Sequence, residues 1–142
     1  MKREYNNFLE NIEEILNKLF LENHCDFNKT YNYLYSFIKK QKNYISNEIF
    51  LDINNIINKC MIKIKINMTL NKDNLLEHYL DKFYFFFENS KNCENIFSYL
   101  NVLNSKNSIT HEKNMINWIK IIYLPNYNKL FNIVNENLNK IK

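Results

Sequence analysis

The 142-residue chain contains no glycine and no alanine, and it has a single proline. The phosphate-binding loops of kinases and of nucleotide- and dinucleotide-binding proteins depend on glycine, so these signatures are excluded. Glycine is also the usual residue in the left-handed conformation that ends helices, and asparagine is the next best suited. The sequence therefore predicts helices that end at asparagine.

Cysteine and histidine are scarce and scattered. The cysteines are Cys25, Cys60 and Cys93, and the histidines are His24, His78 and His111. Apart from the adjacent His24 and Cys25, whose side chains point in different directions on a helix or turn, no pair has metal-ligand spacing. Cys60 and Cys93 fall in apolar helical phases, where a thiol is usually an inert core filler. We predict reduced thiols, no metal and no cofactor.

Carboxylate pairs are weak candidates for catalysis. The closest groupings are Glu13 with Glu14 and Asp73 with Glu77. Such pairs are far more often solvated helix faces than acid–base pairs. We therefore predict a protein that is not an enzyme and takes no small-molecule substrate.

Long hydrophobic runs are also missing. Asp81, Lys82 and Glu88 bracket the aromatic run, so no window of about 18 apolar residues exists and no membrane span is expected. The first residues lack the apolar core and cleavage site of a signal peptide. These features predict an intracellular protein, cytoplasmic or nuclear.

The net charge of +4 is weak evidence for nucleic-acid binding. Asparagine, isoleucine, lysine, tyrosine and phenylalanine, whose codons are rich in A and T, are abundant, and lysine accumulates under such a bias whatever the protein binds. The chain has one arginine and lysines spread along its length, whereas nucleic-acid binders cluster their basic residues on one face.

Apolar residues recur at three- and four-residue spacing along most of the chain, which predicts one all-α domain over residues 1–142. The predicted helical regions are residues 5–20, a second helix capped by Asp26, a third capped by Ser46, a fourth from about Asn71, and a last region capped by Ser108 or Thr110. Within them, "IKIKIN" alternates like a strand, "ENSKN" suggests a kink or turn, and Pro125 predicts the start of a new turn or a bend in the helix. The fourth helix carries the run "FYFFF" and is apolar nearly all round, so it is predicted to be central.

The second helix has apolar residues on more than one face. Phe27, Tyr31, Leu34 and Ile38 line one face and Tyr35 borders it, while Tyr33 and Phe37 form a separate stripe. Residues four apart advance by about 400°, so Phe27, Tyr31 and Tyr35 drift slowly round one side and can form a continuous patch. Two apolar faces predict two packing partners.

The segment "LLEHYLDKFYFFFENSKNCENIFSYLN", residues 75–101, resembles the middle of the first repeat of the cullins. Paired leucines, an aromatic-rich helix, a serine-containing break and an Ile-x-x-Tyr-Leu-Asn ending occur in that order. "EIFLDINNII" and "NWIKIIYLPNYNKLFNIVNENL" are similar to the third and the closing helices of that repeat, and "DFNKTYNYLY" is similar to its second helix. The resemblance implies a five-helix bundle of long antiparallel helices.

The resemblance also implies a function, namely the adaptor-docking scaffold module of a cullin-RING ubiquitin ligase. In that family the second-helix aromatics and a residue early in the fifth helix receive a BTB-fold or Skp-type adaptor. A RING subunit would be a partner only within a longer chain. The implied partner-binding residues are Phe27, Tyr31, Leu34, Tyr35, Ile38 and His111.

The sequence departs from the family in two places. Val102-Leu103-Asn104 replaces a basic and aromatic tripeptide, and His111 stands where an aromatic residue is usual. The first change removes side chains that normally brace the loop, and the second leaves the identity of the adaptor open. Two alternatives also stay open: a short cullin-like decoy that occupies adaptors, and an unrelated basic helical protein that binds nucleic acid.

Overall fold

The computed structural model describes residues 2–41, 47–70, 74–103 and 106–141, and all regular secondary structure in these ranges is helical. The elements are α1 (Lys2–Glu22), α2 (Phe27–Lys40), α3 (Asn47–Leu70), α4 (Leu75–Ile96), α5 (Ser98–Leu103), α6 (His111–Trp118), a π-helical turn (Ile119–Tyr123) and α7 (Leu124–Ile141). The prediction of an all-α fold is confirmed.

The boundary between α1 and α2 follows from two local signals. Asn23 ends α1 in the left-handed conformation with φ of 53°, and the His24 backbone N–H donates to the Lys18 carbonyl at 3.0 Å. Asp26 then caps α2, because its carboxylate accepts from the Lys29 backbone N–H at 3.1 Å. Both the asparagine stop and the aspartate cap are confirmed. Asn74 is also left-handed but lies just before α4, where no helix end was predicted for it.

α3 remains helical through "IKIKIN". Ile64 and Met68, four residues apart, are buried, whereas Ile62 and Ile66 are exposed. The strand-like alternation therefore arises because α3 has one buried stripe, which includes Ile64, and additional isoleucines on its solvent-exposed face. The predicted cap Ser46 lies outside the described residues.

α4 continues without interruption through "ENSKN", so the predicted break at that point is wrong. Asn89, Ser90 and Cys93 are buried inside the bundle. The Asn89 side chain donates to the Phe85 carbonyl one turn earlier, at 3.1 Å, which satisfies the polar group without opening the helix. The interruption comes instead at Phe97, between α4 and α5.

The segment that leads into α6 is held by hydrogen bonds from the side-chain amide of Asn101. The Asn101 side chain donates to the Ile109 carbonyl at 2.8 Å and accepts from the Ile109 backbone N–H at 2.7 Å. Thr110 caps α6, since its hydroxyl accepts from the Lys113 backbone N–H at 3.2 Å. Of the two predicted caps, the structure therefore selects Thr110.

Of the two outcomes predicted at Pro125, a new turn or a bend, the structure shows the first, because a π turn ends at Tyr123 and α7 begins at Leu124. The Leu124 backbone N–H donates to the Ile119 carbonyl, five residues earlier, and Pro125 is then the second residue of α7. Proline has no N–H to donate, so a helix accommodates it most readily near the start of a segment. The buried Asn126 side chain donates to the Ile122 carbonyl at 2.8 Å and satisfies an acceptor inside the turn.

α4 is the central helix, as predicted. It contacts α1, α2, α3, α5, α6 and α7. Within its aromatic run, Phe86 is fully buried between Phe20 and the single tryptophan, Trp118, with ring centroids 5.0 and 4.9 Å away. The Trp118 indole N–H donates to the Tyr79 hydroxyl at 3.2 Å. These rings form the middle of one continuous hydrophobic core.

Candidate functional site

The aromatic residues predicted on the second helix form a continuous row on the surface of α2. The ring centroids of Phe27 and Tyr31 are 6.3 Å apart with 12° between their planes, and those of Tyr31 and Tyr35 are 6.5 Å apart with 19°. Phe27 is 43% exposed and Tyr35 is 37% exposed, while Tyr31 is half-buried between them. We call Phe27, Tyr31 and Tyr35 the α2 aromatic row.

The row continues onto α5 through Tyr99. The ring centroids of Tyr99 and Tyr35 are 4.7 Å apart, and the Lys39 ammonium group lies 5.8 Å from the Tyr35 ring centroid. Sequence analysis did not assign Tyr99 to a surface. Its presence in the Tyr-Leu-Asn ending was a signal, but only the packing of α5 against α2 brings it to the row.

Leu34 and Ile38 do not belong to this surface, and their predicted placement on the partner face is corrected. Their side chains are only 2% and 1% exposed. Together with Thr30 they form a stripe of four-residue spacing that faces the interior, where α2 contacts α4 and α5. The aromatic row is therefore offset from the buried stripe by roughly one residue, about 100° round the helix.

The second apolar stripe of α2 packs against α1. The rings of Phe37 and Phe8 stack with centroids 3.9 Å apart, and those of Tyr33 and Phe8 are 6.0 Å apart. The Asn11 side chain donates to the Tyr33 hydroxyl at 2.9 Å. This stripe is thus occupied within the chain, and the aromatic row is the face of α2 that stays available.

His111 is held by α4. Its Nδ1 lies 2.9 Å from the Ser90 hydroxyl, its ring meets that of Phe87 edge-on at 4.6 Å, and its backbone N–H donates to Glu94 at 3.2 Å. The side chain is half-buried. The structure thus joins three predicted site residues into the row, whereas the contacts of His111 lie with α4.

A groove between α1 and the start of α2 is lined mainly by polar side chains. Glu14, Lys18, His24, Cys25 and Lys29 line it. The Glu14 carboxylate forms an ion pair with the Lys18 ammonium group at 3.3 Å, and the Cys25 sulfur lies 3.7 Å from the Thr30 hydroxyl. Within the described residues, no cluster of histidine, cysteine, aspartate or glutamate has the arrangement to hold a metal ion.

The buried thiols are poor nucleophiles. Burial raises the pKa of Cys60 to about 11, and full burial raises the pKa of Cys93 well above its ordinary range. Both groups are therefore protonated at neutral pH, and nucleophilic attack requires the thiolate. Their predicted burial as core fillers is confirmed.

Across the described part of the chain, no helix has the length and apolarity needed to cross a bilayer. No family model, curated protein or solved structure matches this chain. The cullin resemblance therefore stays a prediction made from the sequence.

Proposed function

We propose that this chain is a non-catalytic docking module that binds a BTB-fold or Skp-type adaptor through the α2 aromatic row, as part of a cullin-RING ubiquitin ligase. The observation that carries the proposal is the exposure of Phe27 and Tyr35 in a row of near-parallel rings. The choice of adaptor class rests on the cullin resemblance alone.

Aromatic side chains suit such a task energetically. Each removes a large apolar area from water on binding and loses little rotamer freedom, so a few aromatic anchors commonly dominate an interface. In the free protein the outer faces of Phe27 and Tyr35 remain in contact with water, and a partner that covers them gains this burial.

The row is also held in place before any partner arrives. Asp26 fixes the start of α2, Leu34 and Ile38 anchor its inner side, and the stack of Phe37 on Phe8 fixes its flank. A surface that is already ordered loses less conformational entropy on binding, which favours affinity.

The test is direct binding of a panel of BTB-fold and Skp-type adaptors to the full chain, measured by calorimetry. Phe27→Ala/Tyr35→Ala is expected to weaken binding by about 2–4 kcal/mol, because each anchor contributes on the order of 1–2 kcal/mol. Tyr84→Ala is the matched control, since Tyr84 is an aromatic residue 63% exposed on α4 whose ring contact is with Phe83 of the same helix.

Tyr84→Ala is expected to unfold at the same denaturant concentration as the wild-type chain, because that side chain is 63% exposed. The double variant loses ring contacts with Tyr31 and Tyr99, so it is expected to unfold at a lower denaturant concentration while staying folded under the binding conditions, which circular dichroism checks. The proposal fails if no adaptor of the panel binds, or if the double variant binds as well as the Tyr84→Ala control. Retention of the wild-type chain on single-stranded nucleic acid at moderate salt, lost in the double variant, would instead assign the row to base stacking.

A further inference from the structure

A chain of side-chain hydrogen bonds joins the first residue of α6 to the interior of the bundle. The Nδ1 atom of His111 lies 2.9 Å from the Ser90 hydroxyl oxygen, and the Asn114 side-chain amide donates to that same oxygen at 3.1 Å. Ser90 and Asn114 have no exposed surface, whereas His111 is only half-buried. A ring that can exchange a proton with solvent is thus connected, through one hydroxyl, to a fully buried amide.

The Asn114 amide is bonded at one end only. Its nitrogen donates to Ser90, but its oxygen, Oδ1, is buried and has no hydrogen-bond partner within the described residues. Buried polar atoms are nearly always paired in native proteins, so an unpaired carbonyl oxygen calls for an explanation. A half-turn of the amide exchanges its two ends and brings Oδ1 to the side of the Ser90 oxygen. The site therefore accommodates two arrangements, which differ in the amide atom that is bonded.

The protonation state of His111 selects between these arrangements. A serine hydroxyl has one proton to donate, and a neutral imidazole offers one nitrogen as an acceptor. When His111 is neutral with its proton on Nε2, Ser90 donates to Nδ1 and accepts from Asn114. A protonated imidazole donates from both nitrogens, so Ser90 must then accept from Nδ1 and donate its own proton to another atom.

Two acceptors compete for that hydroxyl proton. A serine within a helix can donate to the carbonyl one turn earlier, but the Phe86 carbonyl already accepts the Ser90 backbone N–H inside α4. Asn114 Oδ1 has no such partner. We propose that His111, Ser90 and Asn114 form a pH-dependent switch, in which protonation of His111 reverses both hydrogen bonds to Ser90 and turns the Asn114 amide over. The switch does not depend on the proposed function, because none of its residues belongs to the α2 aromatic row.

Charged groups of α4 face the His111 ring. The Glu94 carboxylate accepts from the His111 backbone N–H at 3.2 Å. The Lys91 ammonium group lies 4.3 Å from the centroid of the Phe87 ring, which meets the His111 ring edge-on, and it pairs with Glu88 at 3.6 Å. Carboxylates and ammonium groups keep their charge between about pH 5 and pH 8, the range in which a histidine changes its own.

The charged groups of the other elements near the ring are of the same kind. On α6, Glu112 is exposed, and the Lys113 ammonium group donates to the Ser108 carbonyl at 3.0 Å. From α3, Glu48 lines a groove together with Lys113. These groups also keep their charge in that range, so a pH response of the cluster reports on His111.

The experiment is nuclear magnetic resonance of the full, isotope-labelled chain between about pH 8 and pH 5. The side-chain NH2 signals of Asn114 are expected to shift with pH along the same titration curve as the ring of His111. The nuclear Overhauser contact between this NH2 group and the β protons of Ser90 is expected to be strong above the midpoint of the curve and weak below it. A purely structural role for Asn114 would leave that contact independent of pH.

Two variants connect the shift to the Ser90 hydroxyl. Ser90→Ala leaves His111 able to titrate but removes the link, so the Asn114 signals are expected to lose their pH dependence. His111→Asn places an amide that does not titrate close to the position of Nδ1, and the same loss is expected. Glu112→Gln is the control, since it removes an exposed charge beside His111 and is expected to leave the titration of the Asn114 signals in place.

The wild-type chain alone can overturn the proposal. An equally strong contact between the Asn114 NH2 group and Ser90 at both ends of the titration would mean that the hydroxyl proton turns to the Phe86 carbonyl and the amide stays as it is. The proposal is also overturned if the Asn114 signals of Ser90→Ala still follow the titration of His111, because the charge of the ring would then act through space. The backbone amide spectrum establishes that each variant is folded, and if Ser90→Ala does not fold, the contact in the wild-type chain decides.

Discussion

At the scale of single residues, asparagine takes the place that glycine has in most helical proteins. Asn23 and Asn74 have φ values of 53° and 62°, and each stands at a helix boundary. Asparagine tolerates this conformation better than other residues that carry a Cβ atom, although glycine adopts it with less strain. A chain without glycine can therefore still turn sharply, at some cost in stability.

Replacing Asn23 provides the test. Asn23→Ala is expected to lower the free energy of unfolding by about 1–2 kcal/mol, because alanine is strained in the left-handed region. Asn23→Gly is expected to be neutral or stabilising. Asn6→Ala serves as the control, since Asn6 is exposed within α1 and alanine is the better helix former there. Equal stability of Asn23→Ala and Asn23→Gly in urea unfolding would contradict the role given to Asn23.

The three cysteines should differ sharply in reactivity. Cys25 is half-exposed, whereas Cys60 and Cys93 are buried and their thiol pKa values are raised by burial. An aromatic disulfide reagent at pH 8 is expected to label one thiol of the native protein quickly and the other two only after unfolding. Cys25→Ser should remove the fast phase. Rapid labelling of two or more thiols in the native state would show that the core around Cys60 or Cys93 opens.

At the scale of elements, local signals set where helices begin, whereas tertiary packing decides whether a polar stretch within the chain is helical. Asp26 and Thr110 cap their helices through bonds to residues three positions later, so these starts could be predicted from the sequence. The supposed break at "ENSKN" could not be judged locally, because the partners of Ser90 come from far along the chain: the His111 ring and the Asn114 amide, at 2.9 and 3.1 Å. From the sequence alone, a polar stretch is therefore predicted to be a loop, because the distant residues that hydrogen-bond its buried side chains cannot be identified.

α2 shows the same limit at the candidate site. Its periodicity identified Phe27, Tyr31 and Tyr35 as neighbours, but it grouped Leu34 and Ile38 with them. Apolar residues occupy most of the circumference of α2, so the pattern alone does not reveal which part meets α4 and α5. Tyr99 was missed because its place beside Tyr35 depends on how α5 packs.

At the scale of the whole molecule, α4 is the element on which the rest of the bundle depends. Phe86 has no exposed surface and stacks between rings from α1 and α6. Phe86→Ala is expected to lower the free energy of unfolding by about 3–5 kcal/mol, through lost burial and the cavity left behind. Tyr84→Ala, two positions earlier and 63% exposed, should change it by less than about 0.5 kcal/mol.

Urea unfolding followed by the fluorescence of Trp118 reports this difference, since the indole contacts the Phe86 ring directly. The same measurement bears on cooperativity. If packing against α4 makes the helices unfold cooperatively, tryptophan fluorescence and far-ultraviolet circular dichroism should give coincident unfolding transitions in both variants. Similar stability of Phe86→Ala and Tyr84→Ala would contradict the central position of α4.

The sequence by itself determined the helical class, the cap at Asp26, the stop at Asn23 and the central position of the aromatic helix, because periodicity and capping act over a few neighbouring residues. Tertiary structure alone decided which face of α2 is covered, that Phe131 and Leu138 of α7 are left exposed, and that "ENSKN" stays helical. Those outcomes depend on contacts between residues far apart in the chain, whose free energy appears only when the helices pack together.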